Sequence, residues 1–426
     1  MGAKLYNGFK NSLCVLLVLA SSFLSFEFTF ASPLPGEKCN VDPLPSWTSQ
    51  EKWVWQKICS GDIADFNEAE GRFLDPFHDK NWPKNRIVSP TFIETILLHK
   101  PYSEALPRQG VNIGGAWFDQ PIDLSGASLE HPLVLALSRF DKDVNLGYLK
   151  TSKPISFDGS KFKGVLLMHG AKIDSNLLME FVDFDDELIM RGAEVGKELV
   201  MGNSKFKGQV NMESLRVGSN CLMEGAEFDR EVTLRSAKID GQLVLGGGSK
   251  FKRKVNLDKL QVDSSLFLNR GAEFRGEVIL RSAKVGGQLV MGEGSKFEGQ
   301  LNMGGLTVTS ALFMEKAEFD GEINLNSAKV GKPVLLLSAI IGNLNISNSR
   351  FLSLNLSGTQ VSGERGIVGN LNISNSRFSS LDLSDSHVSG KVGIVGSKFT
   401  SKVITHPVNG WLDGCEPSQR RPATCS

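Results

Sequence analysis

Between residues 110 and 337, apolar residues recur as pairs two places apart, with polar residues in the gaps. In the stretch Ala226-Glu-Phe228-Asp-Arg-Glu-Val232-Thr-Leu234 the pairs are Ala226 with Phe228 and Val232 with Leu234. The following stretch supplies Ala237 with Ile239 and Leu243 with Leu245. Residues two apart lie on the same side of a strand, so each pair predicts one short strand facing inward. The three or four residues between pairs predict a corner. Four such faces close a ring of 22 residues.

At that period two columns emerge. Phe118, Phe140, Phe162, Phe184, Phe206, Phe228, Phe251, Phe274, Phe297 and Phe319 are spaced by 22 or 23 residues. Midway between them run Leu129, Thr151, Ile173, Val195, Val217, Ile239, Val262, Val285, Val308 and Val330. Each unit can bury its apolar residues only against the units above and below, which predicts a solenoid. A leucine-rich repeat has a similar period, and Leu371-Asn-Ile373 and Leu381-Asp-Leu383-Ser384 look like fragments of one. That fold needs one strand and a different return. Here both halves of the period carry the same short-strand pattern, without helical periodicity, and a four-sided parallel β-helix fits better.

Polar positions follow the same period. The residue before each Phe reads Arg139, Lys161, Asp183, Lys205, Glu227, Lys250, Glu273, Lys296, Glu318, with the sign alternating from Lys161 onward. Seven places after the Phe the residues are Arg191, Glu213, Arg235, Asp258 and Arg281. Stacked coils place such side chains about 4.8 Å apart, where opposite charges attract by a few tenths of a kcal/mol per exposed pair. This predicts a structural role for these carboxylates. It also explains why the best self-match is two coils long, with near-copies beginning at Ser204, Ser249 and Ser295.

A small residue followed two places later by a larger one, recurring every five or six residues, resembles the pentapeptide-repeat family. Ser349-Arg-Phe351 and Leu354-Asn-Leu356-Ser-Gly358 are similar to its A(D/N)Lxx units. The resemblance covers roughly 110–400 and implies a right-handed quadrilateral parallel β-helix, to which the spacing of this sequence adds a coil of about 22 residues. Through 118–337 the steps alternate between five and six residues, which predicts one enlarged or bulged corner per half-turn. They tighten to five near Ile346, Phe351, Leu356 and Val361. Ile58-Cys-Ser-Gly-Asp-Ile-Ala-Asp-Phe-Asn67, with Gly115-Ala-Trp-Phe118, looks like a group of exported bacterial repeat proteins of unassigned function.

The repeat divides the chain into a signal peptide (1–31), an N-terminal helical cap region (32–108), the β-helix (109–403) and a C-terminal capping tail (404–426). Lys4 and Lys10 precede an apolar run from Ser12 to Phe26, and cleavage is expected after Ala31 or Ala20. Export to the periplasm or the outside follows, and with it an oxidising compartment. Cys39 with Cys59, and Cys415 with Cys425, are then expected disulfides, while Cys221 occupies an inward position and reads as a buried free thiol. Open coil ends expose strand edges and need caps. A helix is predicted over Ser49 to Cys59, and a second over Thr91 to His99, with Ser89 as N-cap, Pro90 at the first helical position and Pro101 beyond its end. Trp47, Trp53, Trp55 and Trp82 read as packing onto the first coil, with a ligand-binding aromatic surface as the alternative. Trp411 and the Cys415–Cys425 loop would cover the other end.

Chemistry is harder to find. The six histidines (78, 99, 131, 169, 387, 406) stand at no metal-motif spacing, and there is no HExxH, GxSxG, CxxC or complete phosphate-binding loop. Gly292-Glu-Gly-Ser-Lys296 recurs as Gly246-Gly-Gly-Ser-Lys250, which makes it a turn. No catalytic, cofactor-binding or metal-binding residue is assigned. The 47 basic and 47 acidic residues balance, so no bulk charge draws in nucleic acid or an anionic membrane. One local asymmetry remains. The column before the Val ladder, Lys172, Glu194, Arg216, Lys238, Gln261, Lys284, Thr307, Lys329, is a mildly positive stripe. It is either ordinary surface charge or a rail for a linear anionic polymer such as an acidic envelope polysaccharide. The leading expectation is a non-catalytic exported scaffold that binds protein or envelope polymer. A polysaccharide-active enzyme is the alternative. The family resemblance adds a DNA-mimicking topoisomerase inhibitor, which would need a strongly negative surface.

Overall fold

The computed structural model describes residues 40–357, 359–361, 370–389 and 391–399, together with the strands at 403–404 and 412–413. The expected signal peptide, Cys39, His406, Trp411, Cys415 and Cys425 lie outside the described residues.

The chain forms a parallel β-solenoid of about 12 turns. The first full coil shows the plan: β2 (Val111–Gly114), β3 (Trp117–Phe118), β4 (Ile122–Asp123), β5 (Ser128–Leu129) and then β6 (Leu133–Ala136), which pairs back onto β2. Four faces therefore enclose one core. The residues after them repeat this plan in register, Phe162 on Phe140 and Ile173 on Thr151, for example. The face beginning at β3 and the next face form one continuous sheet, because Glu318–Asn324 and Ile340–Ser347 run through the corner between them as single strands. The faces beginning at β5 and β6 each form a separate sheet.

Every inward residue of the stretch from Ala226 to Leu245 named above is buried. The phenylalanines stack nearly parallel, from 4.4 Å between Phe140 and Phe162 to 5.0 Å between Phe162 and Phe184. Isolated aromatic pairs prefer offset or edge-on contact. Here the strand spacing of about 4.8 Å fixes the separation, and burial contributes about 2–3 kcal/mol per ring. The small residue preceding each Phe pair is often Ser, whose hydroxyl stays satisfied inside: Ser204 Oγ donates to Met179 O at 2.8 Å and accepts from Val182 N at 2.9 Å.

The expected enlarged corner is present. Each half-turn has one wide corner with a residue at positive φ, as at Ser214 (58°), Ser236 (57°) and Lys259 (56°) along one edge. The Gly246 to Lys250 segment is such a corner, with Gly247 and Gly248 at positive φ. Beyond Phe319 the register changes. Ile341 and Val361 continue the Phe column, whereas Phe351 stacks beneath Val330 in the other column. Ile340 to Gln360 is a 20-residue coil, and Gln360 to His387 takes 27.

The N-terminal cap contains α1 (Ser49–Cys59), α2 (Phe66–Ala69), α3 (Pro90–Leu98) and α4 (Tyr102–Ala105). Thr48 and Glu51 form a reciprocal capping box at α1, and Ser89 caps α3 by accepting from Phe92 N. Glu51 ties the two helices together, accepting from Thr48 N and Ser89 N at 2.8 and 3.0 Å. Trp47, Trp55 and Tyr102 form an interior aromatic cluster with Phe92, and Trp82 is also buried, so packing accounts for these tryptophans.

The cap also closes exposed strand edges. Strand β1 (Ala64–Asp65) pairs with β2, and Ile87 bridges to Trp117 at the edge of β3. Between them lies Arg86, fully buried, donating to Glu70, Asn67 Oδ1, Arg72 O and Gly115 O. Gly115 must be glycine: its φ is +69°, and a Cβ there would lie 2.6 Å from Asn67 Nδ2.

Candidate interaction surface

On the Phe face, charges lock to one another. Lys161 bridges Asp183 and Asp185, each at 3.1 Å, and Lys207 reaches Asp185 at 2.6 Å. Burial alone would raise the Asp185 carboxyl, but hydrogen bonds from Lys207 and Lys161 hold it below its ordinary range. Lys296 meets Glu318 at 2.8 Å. In the same column Lys205 and Lys250 form no ion pair among the described residues, although they lie in register with Glu227 and Glu273. The column seven after each Phe is linked throughout: Arg191–Glu213 at 3.6 Å, Glu213–Arg235 at 3.6 Å, Arg235–Asp258 at 3.9 Å and Asp258–Arg281 at 2.9 Å.

A further ladder escaped the sequence reading. The residue after each Phe pairs as Asp141–Lys163 (3.1 Å), Asp185–Lys207 (2.6 Å) and Asp229–Lys252 (2.6 Å). Its signal was available, since these positions alternate in sign at the same period. Two open grooves of about 590 and 440 Å³ lie along the adjoining corner. Lys207, Asp229, Lys252 and Arg275, on the first, are already engaged in ion pairs.

The face beginning at β5 is arranged differently. Its outward column runs in strict register through Ser128, Lys150, Lys172, Glu194, Arg216, Lys238, Gln261, Lys284, Thr307, Lys329, Arg350, Arg377 and Lys398. The structure corrects the sequence-derived stripe in two ways. First, Lys172 is partnered by Glu194 at 3.4 Å, and Lys238 by Asp240 at 2.7 Å and Asp263 at 3.6 Å. Hydrogen bonding to Asp240 pushes the Lys238 pKa up, as expected for a cation held by carboxylates. These two lysines are locally neutralised, Lys172 by the next residue of its own column and Lys238 by the following outward position on its own coil and on the next. Second, the column extends beyond Lys329. Arg350, Arg377 and Lys398 continue it with four like charges in succession, all exposed. Counting in steps of 22 misses them because the coils after Lys329 are 21, 27 and 21 residues long.

Arg216, Lys284, Lys329, Arg350, Arg377 and Lys398 form no ion pair among the described residues. Among the described residues, this face and its flanking corners contain no Asp or Glu from Lys284 onward. The positions beside the cations are Gly286, Thr309, Gly331, Leu352 and Ser379. Backbone crowding accounts for the glycines: a Cβ on Gly331 would lie 2.2 Å from Thr309 O. The result is a flat track next to an uncompensated basic column.

Elsewhere, Cys221 is buried and free, and burial pushes its thiol up to about 12. Cys59 is buried in the cap. Among the described residues no group of three or more His, Cys, Asp and Glu could hold a metal, and no helix is long and apolar enough to cross a membrane. Comparison with protein-family models, curated proteins and solved structures finds no match.

Proposed function

We propose that this protein is a non-catalytic exported scaffold whose β5-side face docks an anionic partner through the column from Lys284 to Lys398. One observation carries the reading. Like charges directly opposite one another in a sheet are destabilising, and on the Phe face they are largely avoided. The C-terminal end of the β5-side column instead repeats a positive charge on four consecutive coils. Local stability gives no reason for that arrangement; attraction of a negatively charged partner does. Proteins commonly hold such destabilising groups where function needs them.

Membership of the pentapeptide-repeat family and residence in the periplasm or outside the cell belong to the same proposal. They are supported by the repeat pattern and by the charged and apolar segments preceding residue 31. A Cys39–Cys59 disulfide stapling the cap fits that compartment.

The test is retention of the purified protein on a polyanionic matrix across a salt gradient. The wild type should elute late and the variant with Lys284, Lys329, Arg350, Arg377 and Lys398 changed to Glu early. Identical elution of the two would remove the proposal.

A further inference from the structure

We propose that the partner of this face is a linear polyuronate, an acidic polysaccharide with one carboxylate on each sugar, lying along the solenoid axis. This deepens the anionic-partner reading and rests on it.

Spacing is the first argument. Lys329, Arg350, Arg377 and Lys398 occupy successive coils in direct register, so their anchor points advance by about 4.8 Å per coil along a straight sheet. An extended polyuronate presents carboxylates at intervals of a few ångströms along one axis, comparable with the coil spacing, so a chain lying along the column can bring carboxylates to several of its cations even though successive rings are turned about that axis. Duplex DNA carries a charge every ~1.7 Å of its axis, and only a fraction of those could find a partner in a single file of cations.

The second argument is the chemistry alongside the column. Exposed Thr309, Ser327, Asn348 and Asn375, with Ser379 half-buried, present hydroxyl and amide groups suited to sugar hydroxyls. Leu352, 49 % exposed, offers an apolar patch for a ring face. Gly286 and Gly331 leave the track without protruding side chains. The third argument is rigidity. The site stands on hydrogen-bonded strands, so the cations are prearranged and the polymer alone loses freedom on binding.

The proposal fixes a length dependence. Affinity should climb steeply from a disaccharide to a tetrasaccharide, which spans Lys329 to Lys398, and level off once the chain also covers Lys284. The experiment titrates the full-length exported protein with oligogalacturonates from disaccharide to decasaccharide. Duplex DNA and phosphatidylglycerol vesicles are run alongside. R350E/R377E/K398E should weaken polygalacturonate binding by about tenfold or more. K142E/R253E, which changes exposed cations beside the Phe column, should leave it unchanged. Circular dichroism and melting of each variant exclude misfolding as the cause, and R350Q/R377Q/K398Q repeats the test without adding negative charge. If DNA or vesicles bind through these residues and oligogalacturonates do not, the polysaccharide assignment falls while the anionic-partner reading stands. If no polyanion binds, both fall.

Discussion

Arg350 and Arg377 are direct register partners on adjacent coils, both exposed, and neither forms an ion pair among the described residues. The pair is the inverse of Lys161 and Asp183, which occupy the equivalent relationship on the Phe face and bond at 3.1 Å. One sheet geometry thus supports an attractive column and a repulsive one.

A stability–binding trade-off follows. Arg377→Glu would place a carboxylate between Arg350 and Lys398 and should raise stability by a few tenths of a kcal/mol, while weakening polyanion binding. A melting curve and a binding titration on one preparation check this. Lower stability with unchanged binding would contradict it. On the Phe face the sign reverses: Lys161→Met leaves Asp183 and Asp185 with Lys207 alone, at 3.5 and 2.6 Å, and should cost roughly 1–3 kcal/mol.

The cap depends on Arg86. Replacing it with Ala leaves Asn67, Glu70 and three backbone carbonyls short of a buried donor, and a loss of about 3–5 kcal/mol is expected. Hydrogen exchange should localise the opening to residues 40–118, with the coils around Phe228 protected as before. Uniform loss of protection along the chain would contradict a local latch.

Corner backbones discriminate sharply between residues. A Cβ on Gly208 would lie 2.3 Å from the carbonyl carbon of Asp186 and 2.6 Å from Glu187 N. Gly208→Ala should therefore destabilise by roughly 1–3 kcal/mol. Lys259 is strained in the opposite sense, at φ 56°, and Lys259→Gly should stabilise by up to ~1 kcal/mol. Chemical denaturation of the two variants provides the comparison.

The wide corner at Asp158 makes stability respond to pH. Burial raises the Asp158 carboxyl, and burial, followed by the neighbouring Asp158 charge, raises Glu180. A carboxyl whose folded pKa exceeds its unfolded value binds more protons when folded. Its ionisation therefore lowers stability as pH rises from the unfolded pKa through the folded one, and the loss persists at neutral pH. Asp158→Asn retains an acceptor for Glu180 N, now bonded at 2.8 Å. It should stabilise the protein at pH 7 and flatten this part of the profile. Asp141 and Asp185, held low by lysine and arginine partners, contribute in the other direction, losing stability on acidification. Melting across pH 4–8 for wild type and the Asp158 variant measures the difference.

The regular coils were open to reading because a strict period repeats the same burial decision ten times, as the Phe118 to Phe319 column shows. The bounds of α1 and the cap at Ser89 were also legible, since capping residues act locally. What stayed hidden depended on distance along the chain. Arg86 looks like any surface arginine until folding brings Asn67, Glu70 and Gly115 around it. Arg350, Arg377 and Lys398 could not be added to the stripe while coil lengths were assumed constant. The neutralisation of Lys238 was hidden because Asp240 and Asp263 lie at the next outward position, outside the column that was counted.

Lysine acetylation footprinting with and without saturating polygalacturonate reads the proposed surface directly. The account predicts that Lys284, Lys329 and Lys398 become protected while Lys163, Lys207 and Lys252 on the Phe face react as before. Protection centred on the Phe face, or an unchanged pattern, would contradict it.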